Sequence, residues 1–407
     1  MNSASSALGK RLRIIVLGYV VRWPLGGMVW SNLHYLMGLT RLGYDVYFIE
    51  DSDDYPSCYD PARGLTDTDP AYGLGFARRT FERIGLGERW AYHDAHTSCW
   101  FGPCAGRAVE ICKEGDLLLN LACVNPLRPW LTEIPYRAYV DEDPAFTQVR
   151  NLTRPEAHSR ALQHTVFLSF GENIGHSGSA IPTDGFPWQP TRQPVVLDAL
   201  PVTPGPAQGK FTTVMQWESY QPLEYCGVRY GMKSEAFLSY VDLPERAGRI
   251  FELAVGSASA PRELLRRKGW ALRDPLEATR DPWTYEDFIR QSKAEFGVVK
   301  HGYTVSRSGW FSERSACYLA SGRPVLMQET GFSDWLPTGA GILSFATPEE
   351  ALAGIQEINS GYKYHCRAAR EVAEAYFDAR KVLPELIERI MNPSFAPVIG
   401  TVTADSS

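Results

Sequence analysis

Apolar positions along this chain change period repeatedly. The run "RIIVLGYV" (13–20) is almost unbroken, "GMVWSNLHYLMGLTRLG" (27–43) repeats at three and four, and "DVYFIE" (45–50) is strand-like again. That succession is a β-α-β unit. Further strands are expected at "DLLLNLA" (116–122), "YRAYVD" (136–141) and "HTVFLSF" (164–170), with helices near 74–86 and 154–163. Periodicity vanishes between about 174 and 210, where "SAIPTDGFPWQPTRQPVV" and "LPVTPGPAQGK" read as a linker. Alternation then restarts. Strands are expected at "KFTTVMQW" (210–217), "IFELAV", "EFGVVK" (295–300), "RPVLMQ" and "GILSFA", and helices at "KSEAFLSYV", "APRELLRRKG" and "FSERSACYLASG". Helices near 348–359 and 363–391 close the chain.

The pattern predicts an α/β protein of two doubly wound, Rossmann-like domains, 11–200 and 201–380, with a last helix at 381–392 returning to the first. Two such sheets, joined once, face each other across a cleft at the carboxyl ends of their strands, where ligands bind. Residues 1–10 and the tail after Asn392 read as disordered ends.

Composition narrows the function. With 407 residues and 44% apolar content the chain has enough material for two cores. A net charge of −6 offers no general basic field for a phosphate backbone, so nucleic acid is not an expected partner, and small molecules are. The eight cysteines are scattered with no C-x-x-C pair, as in a reducing cytosol, and predict no structural metal. In "KRLRIIVLGYVVRW" the apolar run stops at Arg22 without a small-residue cleavage site, so it reads as a buried strand, not a signal peptide. No run approaches the roughly 20 residues that span a bilayer. A cytoplasmic protein without stable membrane insertion is expected, as a monomer or homodimer.

Gly26 and Gly27 stand between the first strand and the first helix. There a backbone can approach a ligand closely beside unpaired helix N–H groups, an environment suited to a diphosphate. A plain tight turn is the alternative, since the string is neither G-x-G-x-x-G nor a P-loop. In the second half, "KHGYTVSRSGWFSERSACYLASGRPVLMQETGFSDWL" (300–336) shows a strand end, a polar loop with Gly309, a helix ending at Gly322 and a proline-led strand. Its "ASGRPV" (320–325) resembles the A-x-G-x-P-V of the nucleotide-sugar half of GT-B glycosyltransferases. The opening "GG…LHYLMGLTRLGYDVYFIE" likewise resembles the GT-B start, so the likeness covers nearly the whole chain. It departs where many retaining members carry two glutamates eight residues apart, here Gly309 and Cys317. Glu313 lies one turn before Cys317 and is placed to reach the nucleotide ribose instead.

The resemblance implies a metal-independent glycosyltransferase that moves a sugar from a nucleoside diphosphate (UDP or TDP) to a small-molecule acceptor, with no cofactor. A 2-epimerase-like enzyme and a non-catalytic nucleotide-sugar-binding protein share the architecture. For the donor, the candidates are Gly26, Gly27, Lys233, Lys300, His301, Ser308, Gly309, Ser312 and Glu313. Basic groups and helix N-termini stabilise a leaving diphosphate without a metal. The alternatives are a solvated lysine for Lys233 and a simple N-cap for Ser312. "YVDEDPAF" (139–146) places Asp141, Glu142 and Asp143 past a strand end, with Asp141 and Asp143 as catalytic candidates and solvated turn acids as the alternative. "FGENIGHSG" (170–178) supplies Glu172, Asn173 and His176 as acceptor contacts or turn residues. His34 reads as a packed core histidine. "HDAH" (93–96), in the irregular aromatic segment "WAYHDAHTSCWFG", lacks the further ligands of a metal site.

Overall fold

The computed structural model describes residues 11–392, so the two ends expected to be disordered lie outside the described residues. The first sheet runs, edge to edge, Trp188–Pro190, Val166–Ser169, Tyr136–Asp141, Leu117–Leu121, Arg13–Leu17, Asp45–Asp51, Trp90–Asp94, Cys99–Phe101. Ile14 sits opposite both Val46 and Leu117 in parallel register. Ile14, Ile15 and Val16 are wholly buried, as a strand covered on both faces requires. The second sheet runs Ala271–Arg273, Phe251–Gly256, Phe211–Gln216, Ala294–Gly297, Val325–Gln328, Ile342–Phe345, all parallel. In each sheet the chain winds outward on both sides of its first strand. The crevice of each therefore opens beside that strand's carboxyl end.

Four local departures from the sequence reading matter for the site. "WAYHDAHTSCWFG" is not irregular: Trp90–Asp94 extends the first sheet and Cys99–Phe101 turns back antiparallel to it. The strand expected over 295–300 ends at Gly297, which frees Val298–Lys300 as a loop that carries Lys300 toward the first domain. The long terminal helix is two, Tyr362–Tyr376 and Ala379–Met391, and Asp378 caps the second through the N–H of Arg380. The Ala379–Met391 helix lies on the first helix, with Leu383 so close to Gly38 that a Cβ there would meet it at 2.4 Å. Val195 locks this return by bonding the backbone of Phe377 and Ala379 at 2.6 and 2.9 Å.

The fourth departure is a pair of helices the periodicity left unmarked, Pro275–Thr279 and Pro282–Gln291. Each begins with an aspartate whose side chain accepts from the first turn, followed by proline at the first helical position. Pro282–Gln291 packs against the first helix, Gly26–Arg41, across the domain boundary. Among the described residues no helix is long and apolar enough to cross a membrane.

Candidate functional site

What lies against the two glycines is protein. A Cβ on Gly26 would stand 2.3 Å from the Asp281 carbonyl oxygen, and one on Gly27 would stand 3.3 Å from the Tyr285 ring. The missing side chains let helix approach helix between the domains, and the Trp30 indole N–H donates to the Pro282 carbonyl across the same seam at 2.5 Å. Gly26 thus leaves no room for a phosphate, correcting its assignment to the donor. Gly27 faces a small cavity with His34, Tyr285, Glu313, Arg314 and Cys317. His34 is a core histidine: Nδ1 accepts from the Val196 N–H at 3.1 Å, Nε2 meets Cys317 Sγ at 3.6 Å, and burial pulls its pKa down to about 3.

Asp143 and Lys300, singled out on opposite domains, meet. Asp143 Oδ1 accepts from Lys300 Nζ at 2.8 Å and from the Tyr303 hydroxyl at 2.6 Å. Its Oδ2 accepts from Arg150 at 3.1 Å and from the Tyr220 hydroxyl. Burial pushes the Asp143 pKa up, but Lys300 and Arg150 outweigh it and hold the group well below the carboxylate range. Asp143 is therefore a permanent anion bridging the domains, and its lone pairs are engaged. That arrangement makes it an electrostatic anchor for Lys300, not a free proton acceptor.

Lys300 also belongs to a cluster of cations. Lys233, at the start of the Lys233–Phe237 helix, feels Arg314 and Lys300, and burial together with these two lowers its pKa to about 7. Arg314 was not singled out from the sequence. Its guanidinium is fixed by Glu295 Oε1 at 2.5 Å and the Val214 carbonyl at 3.0 Å, and Glu295 keeps it charged despite burial. Glu313 and Ser312 open the Glu313–Ala320 helix, where Ser312 Oγ accepts from the Arg314 N–H at 3.2 Å. Ser312 is an N-cap, and the charge of Glu313 acts on Lys233 in the opposite sense to the two cations. Lys233, Lys300 and Arg314 thus share one buried electrostatic neighbourhood, with Asp143, Glu295 and Glu313 as their counter-charges.

The acidic loop divides its three members by environment. Asp141 is 1% exposed and accepts from Thr147 Oγ1 at 2.6 Å, Ser169 Oγ at 2.7 Å and the Asp143 N–H at 2.9 Å. Its oxygens are saturated and turned into the domain, so it holds the turn, which corrects its casting as the catalytic base. Glu142 is the member left over. Burial, then Glu313 across the cleft, then Asp141 and Asp143 raise its pKa to about 8. Its neighbours include Tyr19 and Tyr35 of the first domain, and its carbonyl accepts from the Trp310 indole at 3.1 Å.

The other candidates form the seam of the cleft. Asn173 Nδ2 reaches the carbonyls of Arg307 and Gly331 at 3.2 and 3.0 Å and Asp334 Oδ2 at 3.2 Å. Its own N–H donates to the Ser308 carbonyl at 3.2 Å. Gly309, at φ +73°, packs against Asn173 so closely that a Cβ would meet it at 2.8 Å. Ser308 is buried and its Oγ donates back to the Tyr303 carbonyl at 3.3 Å. Glu172 pairs with Arg192, and His176 is exposed. Ser308, Gly309, Glu172 and Asn173 are thus interdomain or local clasps; these contacts correct the donor and acceptor roles expected of them. His301 opens the His301–Val305 helix with its Nδ1 buried and without a hydrogen-bond partner. His93 of "HDAH" bonds Asp51 at 2.7 Å, and among the described residues no three His, Cys, Asp or Glu side chains group as a metal site.

At the carboxyl ends of the first sheet a cavity of about 330 Å³ is lined by Tyr19, Asp53, Tyr55, Arg150, Arg154 and Arg160, among others. Arg150 ties this cavity to the Asp143–Lys300 bridge, so the cation cluster and the first-domain cavity meet at the acidic loop.

No protein-family model matches the sequence, and no curated protein does. Solved structures do. An alpha-glucosyltransferase in complex with UDP and a 13-mer DNA matches with a TM-score of 0.58 at 10% identity, over 94% of this chain and 100% of that one. HepE of Anabaena, in complex with UDP, gives 0.52 at 10% identity over 93% and 99%. AviGT4, a glycosyltransferase involved in avilamycin A biosynthesis, gives 0.50 at 14% identity over 93% and 97%. The DNA complex overturns the exclusion of nucleic acid drawn from net charge. A chain-wide −6 is an average, and it does not describe the local field of a cleft where Lys233, Lys300 and Arg314 converge. At these identities the likeness concerns architecture, and the two sheets, their order and their facing crevices give this chain the two-domain GT-B fold that these glycosyltransferases share.

Proposed function

We propose that this protein is a glycosyltransferase that transfers a sugar from a UDP-sugar to the hydroxyl of a small molecule seated in the first-domain cavity, with UDP as the leaving group. The observation that carries the reading is Lys233 buried beside Arg314 and Lys300: burial first, and then these two charges, draw its pKa to about 7. Such a cluster costs stability when empty and relaxes when a diphosphate enters. The helix N-terminus at Glu313 adds partial positive charge, and His301 Nδ1 is available to the same ligand. As the anomeric bond breaks, charge develops on the leaving diphosphate, and these groups stabilise it. Glu142, between Tyr19 of the cavity and Glu313 of the donor helix, is the group placed to take the acceptor's proton; a carboxylate near pKa 8 suits that work at neutral pH. Lys233, Lys300 and Arg314 as the groups that hold the diphosphate support transfer without a divalent metal or a resident cofactor.

The test is a melting experiment with nucleoside diphosphates, followed by product analysis with UDP-sugars. UDP at 100 times its Kd stabilises by about 2.7 kcal/mol, and the shift persists in EDTA. A shift that appears only with added Mg²⁺ or Mn²⁺ refutes metal independence. No shift with any nucleoside diphosphate refutes the donor site.

A further inference from the structure

The first-domain cavity carries an imbalance of charge beside an exposed ring. Arg160 is neutralised by a two-pronged bond to Asp53, at 2.8 and 2.9 Å. Arg150 shares Asp143 with Lys300, so one carboxylate faces two cations. Arg154, at the junction of the Phe146–Thr153 and Pro155–Ala161 helices, has no ion pair among the described residues. Against it stands Glu156, exposed in the first turn of the second helix. The lining groups together with the adjoining Lys300 and Asp143 set four cations against three carboxylates. Next to the lining, Arg22 is 1% exposed and neutralised by Glu50, with Nε 3.5 Å from Oε1, and its Nη2 donates to the carbonyl of Val124 at 2.7 Å, so it adds nothing to the imbalance. At the mouth, Tyr55 is 53% exposed, a large ring left in water at the edge of a cavity.

We propose that the acceptor is anionic: it is held by a phosphate or carboxylate against Arg154, with its ring stacked on Tyr55. Planar guanidinium groups recognise both anions through paired hydrogen bonds. An aromatic face supplies a flat apolar contact for the rest of the molecule. An anion at Arg154 leaves the other end of the acceptor directed along Arg150 toward Asp143, Lys300 and Glu142, where the reacting hydroxyl has to lie. The proposal names the acceptor class of the transfer reading and rests on it for the word acceptor, but the binding claim stands by itself.

Calorimetry on the full chain, with and without saturating UDP, tests it with phenyl phosphate, benzoate, phenol and a short single-stranded oligonucleotide. Phenyl phosphate or benzoate binds whether or not UDP is present, and phenol binds at least about tenfold more weakly. Arg154→Gln weakens the anion about tenfold or more, and Tyr55→Ala weakens it severalfold. UDP affinity in both variants stays within twofold of the parent. The better of phenyl phosphate and benzoate identifies the anion, and an oligonucleotide that binds tighter with the same dependence on Arg154 assigns it to a phosphodiester. Phenol binding as well as the anions, affinity indifferent to Arg154→Gln, or displacement of phenyl phosphate by UDP each overturns the proposal. If phenyl phosphate binds through Arg154 while UDP does not bind at all, the anion site stands and the donor reading fails.

Discussion

Nucleotide binding by this cleft should take up a proton. In the folded, empty protein, burial and the fields of Arg314 and Lys300 bring Lys233 to about pKa 7, against an ordinary 10.5. At pH 8 such a group is only about one-tenth protonated. A bound diphosphate, fully ionised at that pH, favours the ammonium and restores it, so uptake at Lys233 approaches about 0.9 proton per UDP. The sign follows from the depression: the ligand raises a lowered pKa, and protons move from buffer to protein. Titration calorimetry in buffers of different ionisation enthalpy at pH 8 reads the number as a slope. Glu142 adds to the uptake in the parent because a nearby anion raises its pKa further, so the diagnostic quantity is the slope of the parent minus that of Lys233→Met. That variant binds UDP more weakly, by about 1.5–3 kcal/mol for one charge-assisted bond. A zero slope in the parent, or one unchanged by Lys233→Met, refutes the reasoning that three cations converge on the diphosphate.

Glu142→Gln should abolish or strongly reduce transfer, by about a hundredfold, while leaving UDP affinity near that of the parent. It should also stabilise the protein at pH 9 and not at pH 4, because the folded state binds the extra proton between pH 4.5 and about 8 and loses stability across that window. The ceiling of about 5 kcal/mol, at about 1.4 kcal/mol per pKa unit, falls to roughly 1–2 once water at the partly exposed side chain is counted. Equal melting temperatures for parent and variant at both pH values refute it. Gly26→Ala should lower the melting temperature, since its Cβ would stand 2.3 Å from the Asp281 carbonyl and overpacking costs about 1–3 kcal/mol. An unchanged melting temperature removes the glycine from the helix seam.

The alternation of apolar periods made both sheets legible because parallel strands buried on two faces leave near-continuous apolar runs, as in RIIVL over Arg13–Leu17 and LLLNL over Leu117–Leu121. Pro282–Gln291 was missed although its Asp-Pro start was readable, because it is short and its buried Pro282, Tyr285, Phe288 and Ile289 alternate with charged residues, so the face that meets the other domain leaves no continuous apolar run. The site was legible in part for the same reason. Position at a strand end is written in the sequence; the direction of a side chain past that end is not. Lys233, Lys300 and Asp143 are singled out by position, whereas Arg314 lies one residue inside a helix and is held in place by Glu295, nineteen positions earlier on a neighbouring strand. The acidic loop makes the point most sharply. Asp141, Glu142 and Asp143 are adjacent and chemically alike, yet Thr147 and Ser169 saturate the first, Lys300 and Arg150 pin the third, and only the second is left to titrate near neutrality. Asp141 therefore has a positioning part: by fixing the turn through the Asp143 N–H it aims both neighbours at the cleft. Asp141→Asn keeps the shape but replaces one acceptor oxygen with a donor facing the Thr147 or Ser169 hydroxyl, so it should cost about 1–3 kcal/mol of stability and reduce turnover only as far as Glu142 is displaced. A hundredfold loss of turnover with an unchanged melting temperature and an unshifted pH profile would return the role of base to Asp141.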